Sequence, residues 1–256
     1  MNIPLLVQAQ GLALAPAAFQ LNSYSRYQKE GFAFSGNPAA LGQIKKWSAA
    51  LHGERPYMLN ELSVYNGMLA LPLADGGIVV SGALRGQHFR ELMAGFGYGK
   101  SIGNLDAGLQ FSFHQFSAAH YGRASFVQVQ GGLIYHVNEH FRTGIHLVNP
   151  VSGSLNKLEK LPFQYAAALG YDASEQFFLG VALKKTRDRP VSFDLGLQYQ
   201  FDKSLRARAG MQTDGGRFYC GGGFLWGNIE LDVTLAMHQQ LGLTPSLALS
   251  FHPANK

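Results

Sequence analysis

One cysteine, few charges and no long apolar run mark this chain, and each shortage excludes a class of protein. The lone Cys220 cannot form an internal bridge, so a disulfide-stapled scaffold is excluded. Charged residues make up 14% of the 256, against about 25% in an ordinary soluble domain, which leaves little material for a solvated outer surface. No stretch approaches the ~20 consecutive apolar residues of a spanning helix, so a helical membrane protein is excluded as well. Metal-ligand spacing is also missing. Among the nine His, the pair His136 and His140 spans a turn, and the pattern indicates neither a metal nor a cofactor.

Apolar residues supply 46% of the chain, with 31 Gly, 18 Phe and 11 Tyr spread along its length, which excludes a disordered chain. The glycines follow no three-residue period, so the chain is not collagen-like. The net charge of +5 is scattered. Its densest group, Lys184, Lys185, Arg187 and Arg189, is interrupted by Asp188 and reads as a solvated loop, so no nucleic-acid partner is indicated. Residues 1–10, with Leu5-Leu6-Val7 ahead of Gln8-Ala9-Gln10, read as the remnant of a secretory signal, which would start the mature chain near Gln10.

From Trp47 onward the hydropathy alternates with period two, the signature of strands. In Val191–Phe201 every odd position is apolar and every even position is polar or Gly. Leu105, Ala107, Leu109, Phe111 and Phe113 likewise oppose Asp106, Gly108, Gln110, Ser112 and His114. Turn signals divide this region into about fourteen strands: 47–55, 61–74, 77–86, 89–100, 104–115, 124–137, 141–149, 161–172, 176–185, 190–202, 204–212, 217–227, 228–238 and 244–252.

Connections alternate between tight and longer. Tight ones include Asp75-Gly76-Gly77, Gly103-Asn104 and Gly227-Asn228; longer ones include 55–60, 115–123 and 149–160. A transmembrane barrel has short periplasmic turns, longer outer loops, an even strand number and an apolar outer face. A soluble sandwich shares the period, but here the polar face is too poor in charge to be its solvated side. Aromatics gather near strand ends, at Trp47, Phe89, Tyr135, Phe141, Phe163, Tyr171, Phe177, Tyr199, Phe201, Phe218, Trp226 and Phe251, as in an interfacial girdle. The reading is all-β: a transmembrane antiparallel barrel over 47–253, a three-residue tail at 254–256, and a short helical plug segment at 11–46. Within that segment Asn37 can cap a helix whose first residue is Pro38.

The element Asn37-Pro38-Ala39-Ala40-Leu41 resembles the Asn-Pro-Ala-(Gly/Ala)-Leu element ahead of the first strand in FadL/PorV-like outer-membrane barrels. Gly144–Pro150, Leu205–Gly210 and His238–Phe251 are similar to segments of PorV-type barrels, some of which accompany type IX secretion. The resemblance implies a Gram-negative outer-membrane barrel with its amino-terminal segment in the lumen. Its lipid surroundings would be outer-membrane lipid and lipopolysaccharide. PorV relatives dock protein partners, so the resemblance implies a non-enzymatic barrel that supports a larger outer-membrane or secretion complex. FadL relatives instead move small hydrophobic molecules, which is the alternative. This chain is short for either role.

A hydrolase is the third reading. Ser112 and His114 share a face, but Asp106 lies six residues away, about 20 Å along a strand. The Gly-rich stretches Gly95–Gly99 and Gly221–Gly223 open no helix, so they are not phosphate loops. In strands such glycines mark kinks or the close approach of another backbone. If apolar residues face lipid, the acids Glu54, Glu91, Asp106, Asp194, Glu230 and Asp232 and the bases Arg85, Arg142, Lys184, Arg206 and Arg208 project inward. Both signs occur in nearly equal number, which points to internal pairing rather than an ion-selective pore.

Overall fold

The computed structural model describes residues 17–28, 32–118, 122–150, 154–156, 159–160, 163–187 and 189–253; the expected signal remnant and tail lie outside them. The strands are β1 (Ser48–Glu54), β2 (Val64–Leu73), β3 (Gly76–Arg85), β4 (Phe89–Ile102), β5 (Leu105–Ala118), β6 (Gly122–His136) and β7 (Phe141–Val148). A small pair, β8 (Ser154–Asn156) and β9 (Glu159–Lys160), follows. The rest are β10 (Gln164–Asp172), β11 (Phe177–Thr186), β12 (Ser192–Gln200), β13 (Leu205–Gln212), β14 (Arg217–Trp226), β15 (Ile229–His238) and β16 (Gly242–Phe251). All but β8 and β9 form one closed barrel in chain order, each strand antiparallel to its neighbours. Pairing from Ala49↔Phe251 to Glu54↔Ser246 seals it. Closure satisfies every edge without water, the condition for crossing a bilayer with strands.

The period-two pattern becomes two faces. On β4, Glu91, Met93, Gly95, Gly97 and Gly99 are buried toward the lumen, whereas Leu92, Phe96 and Tyr98 are 48%, 49% and 40% exposed on the outside. Leu51, Leu109, Ile145, Leu183 and Val233 repeat this on other strands. An outer face of this kind is matched to hydrocarbon.

The two rims differ. Links 74–75, 103–104, 137–140, 173–176, 201–204 and 227–228 form a turn end, where both barrel termini also lie. Gly103 and Gly227 open two-residue turns at φ 60° and 61°, which glycine adopts without strain. The opposite loop end carries links 55–63, 86–88, 119–121, 149–163, 187–191, 213–216 and 239–241. Two expected loops are corrected here. The link placed at 115–123 shortens because β5 runs on to Ala118 and β6 starts at Gly122, and the link at 149–160 holds the β8–β9 pair.

Girdle aromatics concentrate at the turn end. Trp47 stacks on Phe251 at 5.0 Å, Phe141 on Tyr171 at 4.6 Å, and Tyr199 meets Phe201 edge-on at 5.0 Å. Phe89 departs from the expected girdle: it shares the inward parity of Glu91 and stacks on the buried Phe116.

Ahead of β1 the chain makes one α-helical turn, α1 (Ala17–Gln20), followed by 3-10 turns at Leu21–Tyr24, Ala33–Gly36 and Pro38–Gln43. Its buried side chains Phe19, Phe32, Phe34, Leu41 and Ile44 cluster with Ala50, Met68, Ala70, Val79 and Ala248 of the wall. Those wall residues sit at lumen-facing positions of β1, β2, β3 and β16, so the segment lies inside the barrel.

Candidate functional site: the occupied lumen

The segment is seated on a belt of inward-facing glycines near the turn end. A Cβ on Gly132 would stand 1.8 Å from Asn37 Oδ1, one on Gly108 2.3 Å from the Pro38 carbonyl oxygen, and one on Gly170 2.2 Å from that of Tyr24. At Gly99 it would meet Leu41 Cβ at 2.7 Å, and at Gly180 Leu21 Cβ at 2.9 Å. These positions are cross-strand neighbours: Gly99 pairs with Gly108 and Gly108 with Gly132, while Gly170 pairs with Gly180 and Gly180 with Gly196. The backbone of one segment thus touches the backbone of the wall where no side chain intervenes.

Asn37 is fully buried and fixes the segment. Its Oδ1 accepts from the Ala39 N–H at 3.0 Å, capping the turn that Pro38 opens. Its amide nitrogen donates toward the carbonyls of Ile145 at 3.1 Å and Leu133 at 3.3 Å, and toward the Tyr24 hydroxyl at 3.2 Å. Burial, partly offset by that Asn37 contact, pushes the Tyr24 hydroxyl up to about 12, so it stays neutral. Ala39 and Leu41 are 0% exposed, Pro38 is buried and Ala40 is half-buried. A second anchor holds Ser25: its Oγ donates to Asp172 Oδ1 at 2.6 Å, and the Arg26 N–H donates to Oδ2 at 2.7 Å.

The lumenal charges fall into groups at both ends. Near the turn end, Arg206 meets Glu230 at 2.7 Å and Arg208 meets Asp232 at 2.6 Å, with Arg208 also 3.9 Å from Glu230. The Arg208 guanidinium lies 4.2 Å from the centre of the Phe19 ring, tying this network to the segment. Asp106 accepts from Gln43 Nε2 at 3.0 Å and meets His136 Nε2 at 2.6 Å.

Toward the loop end, Lys184 sits 2.5 Å from Asp194 and donates to Gln20 Oε1 at 2.7 Å. Glu91 is 3.5 Å from Arg85 and 3.2 Å from His114 Nδ1. Glu54 shares a lumenal row with Val64, Arg85 and Glu91 and is half-buried. Back at the turn end, Arg142, 7% exposed, borders a cavity with Asp106 and Gln43. Buried pairs of this kind stabilise only as intact pairs, because removing one partner strands a charge in a medium that cannot solvate it.

Sequence reasoning missed three features. Glu91 is the acid beside His114, a neighbour that parity along β5 cannot disclose. Ser112 Oγ has no hydrogen-bond partner among the described residues, so it and His114 do not make the nucleophile–base contact of a hydrolase. The third is a stack at the loop-end mouth, where Phe89 faces Phe116 at 5.7 Å, Phe116 faces Phe126 at 5.7 Å and His114 lies parallel to Phe126 at 4.7 Å.

Two small cavities lie beside the segment among the described residues. A cavity beside Asn22, Gln28 and Arg142 and another beside Leu21, Gln198 and Tyr219 each measure about 10 Å³, room for about one water.

No family model matches the sequence, and no curated relative does. Solved structures do. The Ralstonia pickettii toluene transporter TbuX superposes with a TM-score of 0.66 at 11% identity, over 88% of this chain and 94% of that one. The CymD monoaromatic hydrocarbon channel gives 0.63 at 11%, over 88% and 93%. The P. putida toluene transporter TodX gives 0.59 at 10%, over 88% and 95%. The closed fourteen-stranded wall, its apolar outer face and this likeness of fold to bacterial outer-membrane barrels place the chain in the outer membrane of a Gram-negative bacterium.

Proposed function

We propose that the chain is an outer-membrane channel for small hydrophobic molecules, closed at rest by its own amino-terminal segment. The observation that carries this reading is the chemistry of the wall behind the segment. The residues that Phe19, Phe32, Phe34, Leu41 and Ile44 cover are Ala50, Met68, Ala70, Val79 and Ala248, and those around Leu21 and Tyr24 are Ile134, Ala168, Phe178 and Ala182. Withdrawal of the segment leaves an apolar surface with glycine recesses behind it, suited to an apolar cargo.

The fold likeness to two toluene transporters and a hydrocarbon channel supports transport over docking in a secretion complex, the reading that the PorV-like segments favoured. The segment is separable because side-chain bonds and apolar packing hold it, with no strand pairing to the wall among the described residues. At the loop end Arg90 and Arg123 face outward on either side of Ser117 in one cross-strand row. That rim suits the phosphates of lipopolysaccharide and supports a loop end that faces outward.

The test is uptake of labelled toluene by Gram-negative cells with an intact lipopolysaccharide leaflet and no hydrocarbon channel of their own. Cells expressing the protein take it up several-fold faster than vector controls. Equal rates, with the barrel present in the outer membrane, would remove the transport reading.

A further inference from the structure

Three neutral polar side chains bring together, at one place in the lumen, polar atoms that have no partner among the described residues. Ser81, Gly95 and Ser112 are directly paired across β3, β4 and β5, and Gln110 lies one inward position nearer the turn end. Ser81, Gln110 and Ser112 are 5%, 1% and 2% exposed. Ser81 Oγ, Ser112 Oγ and Gln110 Nε2 have no hydrogen-bond partner among the described residues. The position that a Cβ would take on Gly95 lies 2.7 Å from Ser81 Oγ, 3.0 Å from Ser112 Oγ and 3.5 Å from Gln110 Nε2, so the three groups surround the bare Gly95 backbone. Buried polar groups in native proteins are paired almost without exception, so three unpaired ones aimed at the same spot mark where a partner atom belongs.

The chemistry of that partner follows from its surroundings. The lumenal rows through this point read Ala50, Met68, Ser81, Gly95, Ser112, Gln128 and, below, Ala70, Val79, Gly97, Gln110, Gln130, Val148. Neither stretch holds a charge, so a carboxylate or an ammonium there would lose its hydration with no adjacent counter-ion in the row. Two hydroxyls and an amide N–H₂ suit an oxygen that accepts and can also donate. One step toward the turn end the wall turns apolar: a Cβ on Gly97 would meet Val79 Cγ1 at 2.9 Å and Leu41 Cδ1 at 3.2 Å. Leu41, fully buried, fills that apolar step from the segment side.

We propose that Ser81, Ser112 and Gln110 hold the neutral oxygen of an amphiphilic cargo, an alcohol or phenol, whose apolar body takes the place of the Leu41 side chain when the segment withdraws. This rests on the transport reading and names its substrate class: a hydroxylated aromatic or aliphatic molecule in preference to a plain hydrocarbon.

The experiment pairs 4-methylphenol with toluene, which differ by the hydroxyl group, in two assays: uptake by the expressing cells, and calorimetric binding to the purified full-length barrel in detergent. The double variant Ser81→Ala/Ser112→Ala removes both hydroxyls. Gly95→Ala keeps them and puts a methyl group between them, in the path of the oxygen that they would hold, against a hydroxyl that can rotate away. Expected is a wild-type preference for 4-methylphenol that falls about tenfold in both variants, with toluene unchanged. Toluene uptake with no preference, or a preference that survives both variants, overturns the assignment and leaves the channel standing. Absence of uptake for both compounds, with 4-methylphenol binding that the variants abolish, overturns transport and keeps the site. Absence of uptake and of binding overturns both.

Discussion

The two ends of the barrel are made from the same strands, yet their inner walls differ in the size of their side chains. Near the turn end the wall holds a belt of Gly99, Gly108, Gly132, Gly170, Gly180 and Gly196, and a second stretch of chain fits against it. Near the loop end β4, β5 and β6, which carry the first three of these, bear Met93, His114, Phe116 and Phe126, which fill the space themselves. Backbone pairing is continuous through both halves, so the wall's hydrogen bonds do not decide where the segment lies. The missing Cβ atoms do. Glycine weakens a strand, and its concentration in one belt is explained by what the belt receives.

The comparison breaks first at the belt. Gly132→Val forces atoms into Asn37 Oδ1, already 1.8 Å from an ideal Cβ, and the docked segment should lose roughly 3 kcal/mol or more. Protease should then cut within residues 17–46 while the barrel keeps its heat-modifiable migration in a gel. The neighbouring Gly131 faces outward, where a Cβ would meet only Leu109 Cδ2 at 3.5 Å, so Gly131→Ala should leave cleavage at the wild-type rate. Equal protection in the Gly132 and Gly131 variants would mean that the belt does not seat the segment.

Arg208→Ala comes next. It strands Asp232 and removes the cation under Phe19, and should cost about 3 kcal/mol in barrel stability, read as an earlier denaturant midpoint. An unshifted midpoint would mean that the network is not coupled to folding. Asn37→Ala should cost about 2 kcal/mol, for the lost cap and buried amide bonds, and act on the segment alone. Amide exchange in residues 17–28 and 38–43 should accelerate about thirtyfold while strand amides keep their protection; acceleration throughout the wall would contradict a separable segment. Lys100→Ala deletes an exposed pair with Asp75, whose side chains are 44% and 69% exposed. It should change stability by less than about 0.5 kcal/mol, and a larger loss would show that the turn-end rim bears more of the fold than its exposure allows.

Much of this architecture was legible from the residues. Alternation along β5 and β12 names the outward face, and turns such as Gly103-Asn104 and Gly227-Asn228 count the strands. The Asn37-Pro38 start of a helical turn is also readable, because cap chemistry is local. Neighbours across strands are not. Asn37 reaches carbonyls 96 and 108 positions away, and Ser25 reaches Asp172 over 147. Period two assigns a side chain to a face, but the register and stagger that choose its partner belong to the closed barrel as a whole. For that reason Glu91 and His114 could each be assigned a face while their contact stayed hidden. Glycine carried the same ambiguity: Gly95–Gly99 announced a close approach without saying of what.

The central claim is that the resting barrel is closed by its own segment, and conductance of the purified full-length protein in planar bilayers tests it most directly. The account predicts small or no steady conductance for the wild type and a stable open level once Gly132→Val unseats the segment. A large, steady pore in the wild type would contradict it.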